Sequence, residues 1–323
     1  MSQNCISVFQ YPDAVLAVDS GLFRDRMACC YLVEDQDEVA IIEAGGESGA
    51  RRLLQTIDRR GLRPEQVRWV IVTHVHLDHA GGAGQLMQAL PEATLLVHER
   101  GAKHMTDPSK LEAGARAVYG DEQYDAIYGS LVPIDPKRVR VMPDGGQVSL
   151  GAREFRFIDT PGHASHHFCV HDSRTNGWFS GDTFGLSYRE LDTQNGPFIF
   201  PTTTPIDFNP DALRSSIEKL GSVDPDWMYL THFGRIAYSP DLARRLIEGV
   251  NHFEQWGLEF ENVPDRKQRI SAAMTGWLLE AVKKHGVDLP RDRLIELLQP
   301  DVDLNTDGID VWLRRRAKTL SGP

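Results

Sequence analysis

The stretch Thr73-His74-Val75-His76-Leu77-Asp78-His79-Ala80-Gly81-Gly82 decides how the rest of the chain is read. Three imidazoles and one carboxylate fall within six consecutive positions, directly after the apolar run Trp69-Val70-Ile71-Val72. Such groups repel one another when charged, and desolvating them is costly without compensation. A divalent metal ion is the simplest compensation, because neutral imidazole and carboxylate are among its preferred ligands. His74 and His76 lie two apart, so in an extended segment leaving a strand they point the same way. Asp78 and His79 follow as the chain turns and point to a second, adjacent position. A solvated polar loop after a buried strand is the plain alternative, and the density of ligands at a strand end argues against it.

Working outward, short extended runs precede this stretch at Ala14–Val18, Met27–Val33 and Val39–Ile42, separated by turn-forming or acidic residues. They read as an antiparallel meander. Residues 49–60 carry Leu53, Leu54 and Ile57 at helical spacing, and Gly61 and Pro64 close that helix. After the histidine stretch come a helix at 83–90 and a strand at Thr94–Val97. The more polar region from 99 to 135 reads as helices around Leu111–Val118 and Glu122–Leu131, a lid or an insertion. Further strands are expected at Val139–Val141, Gln147–Leu150, Phe155–Ile158, Phe168–Val170, Trp178–Ser180 and Trp227–Leu230. Residues 184–209, rich in Pro, Thr, Gly and aromatics, read as an irregular loop. Beyond about 239 only helical periodicity remains, at Leu242–Glu259, Arg266–His285, Arg291–Leu298 and Ile309–Leu320. The expected organisation is an α/β catalytic domain over 1–238 and a helical extension over 239–323.

Three more polar residues recur in the same setting, at the end of an apolar strand: His163, Asp182 and His232. Rigid strand ends are where a sheet protein presents a site. With the first stretch they make five histidines and two aspartates, too many for one tetrahedral ion and suited to two.

The ordered set His-x-His-x-Asp-His at 74–79, Thr-Pro-Gly-His at 160–163, Gly-Asp-Thr at 181–183 and Thr-His at 231–232 resembles the metallo-β-lactamase-fold superfamily. The resemblance spans roughly residues 10–235. It implies an αββα sandwich with a two-metal site at its edge. In that pattern His74, His76 and His163 hold the first metal, Asp78, His79 and His232 the second, and Asp182 bridges the two. With His232 present and no cysteine ligand, the set is more similar to the glyoxalase II and lactonase branches than to the antibiotic-degrading one. Members often carry Asp-x-Gly after the early meander, whereas this chain has Glu43-Ala44-Gly45. In thioesterase and lactonase relatives a tyrosine from a comparable loop contacts the substrate carbonyl, and Tyr188 stands at a similar place here.

The expected activity is therefore hydrolysis of a small carbonyl ester, with a thioester preferred, by a metal-bridging hydroxide, with Asp78 as ligand and proton relay. A lactonase is the alternative within hydrolases. A mononuclear-iron sulfur-dioxygenase-like oxidoreductase is the alternative outside them, and the presence of His232 speaks against it. The cofactors are expected to be two divalent ions, zinc first, with iron or manganese also accepted by His and Asp ligands.

Composition agrees with this reading. The 323 residues carry 35 Lys and Arg against 46 Asp and Glu, a net charge of -11. That balance argues against a nucleic-acid partner. No apolar run approaches the roughly 20 residues of a membrane span. The first ten residues show no basic segment followed by an apolar core, so a cytoplasmic setting is expected. Cys5, Cys29, Cys30 and Cys169 form no CxxC pair and read as free thiols. The basic runs Arg266-Lys267-Gln268-Arg269 and Arg314-Arg315-Arg316-Ala317-Lys318 read as solvated helix faces. The alternative is an anionic-substrate pocket, as the glyoxalase II resemblance would allow. A small-molecule substrate is the expected partner and a homodimer the expected assembly.

Overall fold

In a computed structural model, which describes residues 6–203 and 207–320, the early strands are buried on both faces. Val15 and Ala17 of β2 (Val15–Asp19) join one apolar cluster, and Leu16 and Val18 join another. The same split divides Tyr31 and Val33 from Cys30 and Leu32 in β3 (Cys29–Asp35), and Ala40 and Ile42 from Val39 and Ile41 in β4 (Glu38–Ile42). Successive side chains of a strand point to opposite faces, so a strand apolar at every position sits between two layers.

Chain connectivity supplies those layers. The first sheet has the order β1-β2-β3-β4-β5-β6-β7, with β1 (Val8–Tyr11), β5 (Val67–Ile71), β6 (Thr94–His98) and β7 (Val139–Met142). Its first four strands pair antiparallel and its last four parallel. Helices α1 (Glu47–Arg59), α2 (Leu77–Ala80), α3 (Ala83–Ala89) and α4 (Glu99–Thr106) follow β4, β5 and β6. Leu53, Ile57, Leu86 and Met105 from α1, α3 and α4 close one face of that sheet. The second sheet has the order β13-β12-β11-β10-β9-β8. Its strands are β8 (Gln147–Leu150), β9 (Arg153–Asp159), β10 (Phe168–Asp172), β11 (Gly177–Gly181), β12 (Trp227–Leu230) and β13 (Gly234–Ala237). Phe155, Phe157, Phe168, Val170, Phe179 and Tyr229 face Tyr31, Ile42, Trp69, Ile71 and Leu96 of the first sheet across one shared core. Two sheets face to face, covered by helices, are the expected α/β sandwich.

Helices α5 (Ser109–Tyr119) and α6 (Asp121–Ile127) occupy the polar region after 99. They build a small third cluster, in which Tyr124 and Tyr128 join Leu22, Ala28 and Leu77.

The chain divides into two compact units. The first comprises residues 1–159, 166–181 and 225–237 and contains both sheets. The second comprises 160–165, 182–224 and 238–323. It holds α7 (Pro210–Gly221), α8 (Pro240–Phe260), α9 (Arg266–His285) and α10 (Arg291–Leu320). Compactness thus groups 160–165 and 182–224 with the helices after 238. The sequence reading breaks the last helix into 291–298 and 309–320, but α10 runs unbroken through Pro300 and Gly308. Pro300 removes one backbone donor. Val302, Asn305, Thr306 and Ile309, all buried, carry the helix's inner face through the polar stretch.

The described residues of the loop 184–209 are irregular as expected, with a short turn at Arg189–Leu191 and isolated bridges between Leu186 and Phe200 and between Thr193 and Gly196. Cys5, the first five residues and Thr204 in that loop lie outside the described residues. No helix among the described residues is long and apolar enough to cross a membrane.

Candidate metal centre

The parallel pair β4–β5 sets Ile42 opposite Ile71, so Glu43 and the Val72-Thr73-His74 segment leave the sheet side by side. Antiparallel β12–β13 closes the second sheet with Thr231 and His232 just past β12. Close backbone packing then turns the chain after His79. A Cβ on Gly81 would meet Leu77 O at 2.5 Å, and one on Gly82 would meet Gly46 O at 2.5 Å.

Three side chains of the first unit converge. Nε2 of His79 lies 3.5 Å from Asp78 Oδ2, and Nε2 of His232 lies 3.3 Å from the same oxygen. Burial alone would raise the Asp78 carboxyl. The charges and hydrogen bonds of His79 and His232 outweigh it and hold Asp78 well below the usual carboxylate range. The ligand atoms of Asp78, His79 and His232 all lie within 4.8 Å of one another. On the neighbouring side, His74 Nε2 and His76 Nδ1 stand 2.6 Å apart. His74 and His79 are fully buried, His232 is 5% exposed, and the Asp78 side chain keeps 23% of its surface.

The other ring nitrogens are accounted for by acceptors. His232 Nδ1 donates to Met27 O at 2.8 Å. His79 Nδ1 donates to Glu43 Oε1 at 3.0 Å. Thr73 Oγ1 donates to the same Glu43 oxygen at 2.5 Å, and so accepts from His74 Nδ1 at 3.1 Å. Glu43 also accepts from Thr73 N at 3.2 Å and Thr231 Oγ1 at 3.2 Å. Its carboxylate therefore organises two imidazoles and three strand ends while buried at 1% exposure. Glu43 sits at φ 65, a region that costs a non-glycine residue roughly 1–3 kcal/mol. The four hydrogen bonds hold it there. A carboxylate so fully engaged is a support for ligands and not a ligand, although its oxygen lies near His74 and His79.

In the second unit, His163 and Asp182 meet. His163 Nε2 lies 3.3 Å from Asp182 Oδ2, and its Nδ1 donates to Thr202 O at 3.4 Å. Both residues are buried. Of the seven expected ligands, the first unit thus carries His74, His76, Asp78, His79 and His232, and the second carries His163 and Asp182.

This donor set fits divalent metal. Acceptors at Nδ1 of His74, His79, His163 and His232 leave each Nε2 facing a carboxylate or a neighbouring imidazole, the edge through which a divalent ion would be held in place of a proton. Such outer hydrogen bonds are what orient metal-binding imidazoles.

Tyr188 and two further histidines have defined surroundings. Tyr188 is buried at 1% exposure, and its hydroxyl donates to Asp301 Oδ1 at 3.1 Å. His166 Nδ1 accepts from Val75 N at 3.4 Å, and its ring lies 5.4 Å from His76. Fully buried His167 stacks at a tilt 4.8 Å from His74. The sequence marks Glu43 only as a departure from Asp-x-Gly and does not reveal the Met27 and Thr202 carbonyls. The signal for Glu43 was available in two neighbouring strands that both end in polar residues. Carbonyls carry no sequence signature.

Fold and donors together define a metal-dependent hydrolase. The chain belongs to the metallo-β-lactamase superfamily, whose family description matches residues 24–232. It is 26% identical over 220 residues to the protein YobT of Bacillus subtilis, covering 67% of this chain and 87% of that one. It is 30% identical over 136 residues to the acyl-coenzyme A thioesterase MBLAC2 of Gallus gallus, covering 41% of this chain and 46% of the relative. Among solved structures, the archaeal superfamily protein ST1585 from Sulfolobus tokodaii superposes with a TM-score of 0.63 at 22% identity, over 93% of this chain and 99% of that one.

Proposed function

We propose that this protein is a dinuclear-metal hydrolase of small carbonyl esters, with thioesters preferred. The observation that carries the reading is the convergence of His79 and His232 Nε2 on one oxygen of Asp78, with each Nδ1 held by an acceptor. The likeness to an acyl-coenzyme A thioesterase supports the thioester preference. The ligand assignment follows the family pattern. By that pattern His74, His76 and His163 would hold one ion, Asp78, His79 and His232 the other, and Asp182 would serve both. Zinc is the first candidate.

When bound, such an ion pair supplies a water nucleophile at neutral pH and polarises a carbonyl. The protein's own residues do the rest. Glu43 keeps the proton on His79 Nδ1 and, through Thr73, on His74 Nδ1. Asp78 presents an ionised carboxylate that is partly open to solvent, where it takes a hydrogen bond from a water and steers that water's proton. The catalytic module is residues 1–238, and 239–323 is its helical extension. The partner is a small molecule in the cytoplasm, and the assembly is a homodimer.

Metal analysis of protein purified without chelator, beside turnover of thioesters, lactones and persulfides, tests this. Two ions per chain with thioester turnover is the expected result. One iron per chain with oxygen uptake on persulfides overturns it.

A further inference from the structure

We propose that α10 positions the imidazole of His163, and that Asn305 is the residue through which it does so. The inference rests on the reading of His163 as a metal ligand.

His163 sits in a turn whose backbone is fixed locally. Asn209 N donates to Gly162 O at 2.9 Å, and Ser216 Oγ to Pro161 O at 2.7 Å. Gly162, at φ 129, allows that approach, since a Cβ there would stand 2.2 Å from Leu213 N. The ring is a separate matter. Its Nδ1 donates to the carbonyl of Thr202, which belongs to no strand or helix. The nearest regular pairing, the bridge of Leu186 with Phe200, stops two residues earlier. A carbonyl in such a segment points wherever its neighbours force it.

Asn305 grips both of those neighbours. Its Oδ1 accepts from Thr203 N at 2.6 Å, and its Nδ2 donates to Pro201 O at 3.5 Å. Thr203 Oγ1 returns a bond to Asn305 O at 3.2 Å. Thr202 is thereby held from the residue before and the residue after. Asn305 is fully buried in the middle of a helix, where asparagine is a poor choice by propensity and a buried amide is costly unless every polar atom is used. The same helix holds the loop at further points. Asp301, one turn earlier, takes the Tyr188 hydroxyl, and Trp312 meets Phe208 with ring centroids 6.0 Å apart. Arg315 holds Asp207 at 2.9 Å, and Asp207 in turn accepts from Ser165 N, two residues after His163, at 2.6 Å.

A purely structural Asn305 would affect stability and leave the imidazole unchanged. The test therefore reads the ring directly. In the full-length protein with 15N-labelled histidine, His163 is expected to show a single Nδ1–H tautomer. Asn305→Ala is expected to mix the two tautomers and to weaken one of two zinc-binding steps about 10- to 100-fold in chelator competition, the usual cost of losing an orienting partner. Asn305→Asp, which keeps the Oδ1 acceptor for Thr203 N and loses the Nδ2 donor to Pro201 O, is expected between alanine and wild type in both. If Asn305→Ala does not fold, Thr203→Val against Thr203→Ser decides, with the hydroxyl-free variant shifting in the same direction and the serine remaining like wild type. Folded variants with lower Tm but an unchanged tautomer and unchanged zinc affinity overturn the proposal, as does an Nε2–H tautomer in the wild type. His163→Ala is the control for the underlying reading. If it keeps both zinc equivalents, the ligand assignment fails, while the tautomer comparison still decides the role of Asn305.

Discussion

His79 and His163 are held in opposite ways. His79 donates from Nδ1 to a side chain, Glu43, which sits just past the end of β4 and also serves Thr73 and Thr231. His163 hands its proton to a backbone carbonyl in an irregular loop, and a helix about a hundred residues further along the chain fixes that loop. The first arrangement is direct and shared among several groups. The second is relayed and serves one imidazole. A shared hub makes the consequences of a change large and plural. A relay makes them smaller and confined to one ring, and leaves them open to adjustment by residues far from the chemistry.

The largest effect should come from a ligand itself. Asp78→Ala removes the oxygen on which His79 and His232 converge. We expect loss of one of two zinc equivalents and a drop in turnover beyond the roughly 100-fold that marks the range for supporting groups. Retention of both equivalents would mean that the Glu43 hub serves no metal.

Glu43→Gln comes next. The amide adds a donor where Thr73 N, Thr73 Oγ1, Thr231 Oγ1 and His79 Nδ1 all need an acceptor. Zinc affinity should fall about 10- to 100-fold, and a buried donor left unsatisfied should cost about 1–3 kcal/mol of stability. The sharpening measurement is the histidine spectrum. Glu43→Gln should disturb the tautomers of both His74 and His79, whereas a change at Asn305 should disturb His163. Disturbance of one ring by Glu43→Gln would reduce the hub to a simple pair.

The same contrast explains what could be read from sequence. The histidine stretch, the meander before it and the strand ends at His163, Asp182 and His232 all stand out because ligand type and apolar periodicity are local signals. Glu43 was visible as a departure from the family's Asp-x-Gly but not as a hub, since its partners lie 30, 36 and 188 positions away. The sequence divides α10 into two helices because Pro300 and the largely polar run 301–308 break its periodicity. In the structure that run carries Asp301 and Asn305, whose polar side chains are buried against the loop. Polarity that looks like a gap in a helix is there the polar side of a contact.

Tyr188→Phe probes whether the relayed region also touches substrate. The hydroxyl donates a hydrogen bond to Asp301, so its loss should cost about 1 kcal/mol of stability and leave kcat unchanged. A kcat that falls while Tm holds would instead put Tyr188 on the substrate carbonyl and make the loop a reacting element as well as a holding one.

The smallest effect is expected from the basic runs of the extension, which decide whether that region binds an anion or only supports the relay. Six of the basic groups there face carboxylates: Arg266 and Arg314 share Asp310, Lys267 meets Asp307, Arg269 meets Asp265, Arg315 meets Asp207, and Arg316 meets Glu261. Cations already paired offer less to a substrate, and exposed pairs contribute at most about 1 kcal/mol. Lys267 and Asp307 are each nearly half exposed, so water and salt screen them well. Lys267→Ala should therefore change Tm little and leave KM for an anionic thioester where it was, at low and at high salt. A KM that rises severalfold at low salt and recovers at high salt would mark this face as a substrate-steering surface. The extension would then act on the substrate as well as on His163.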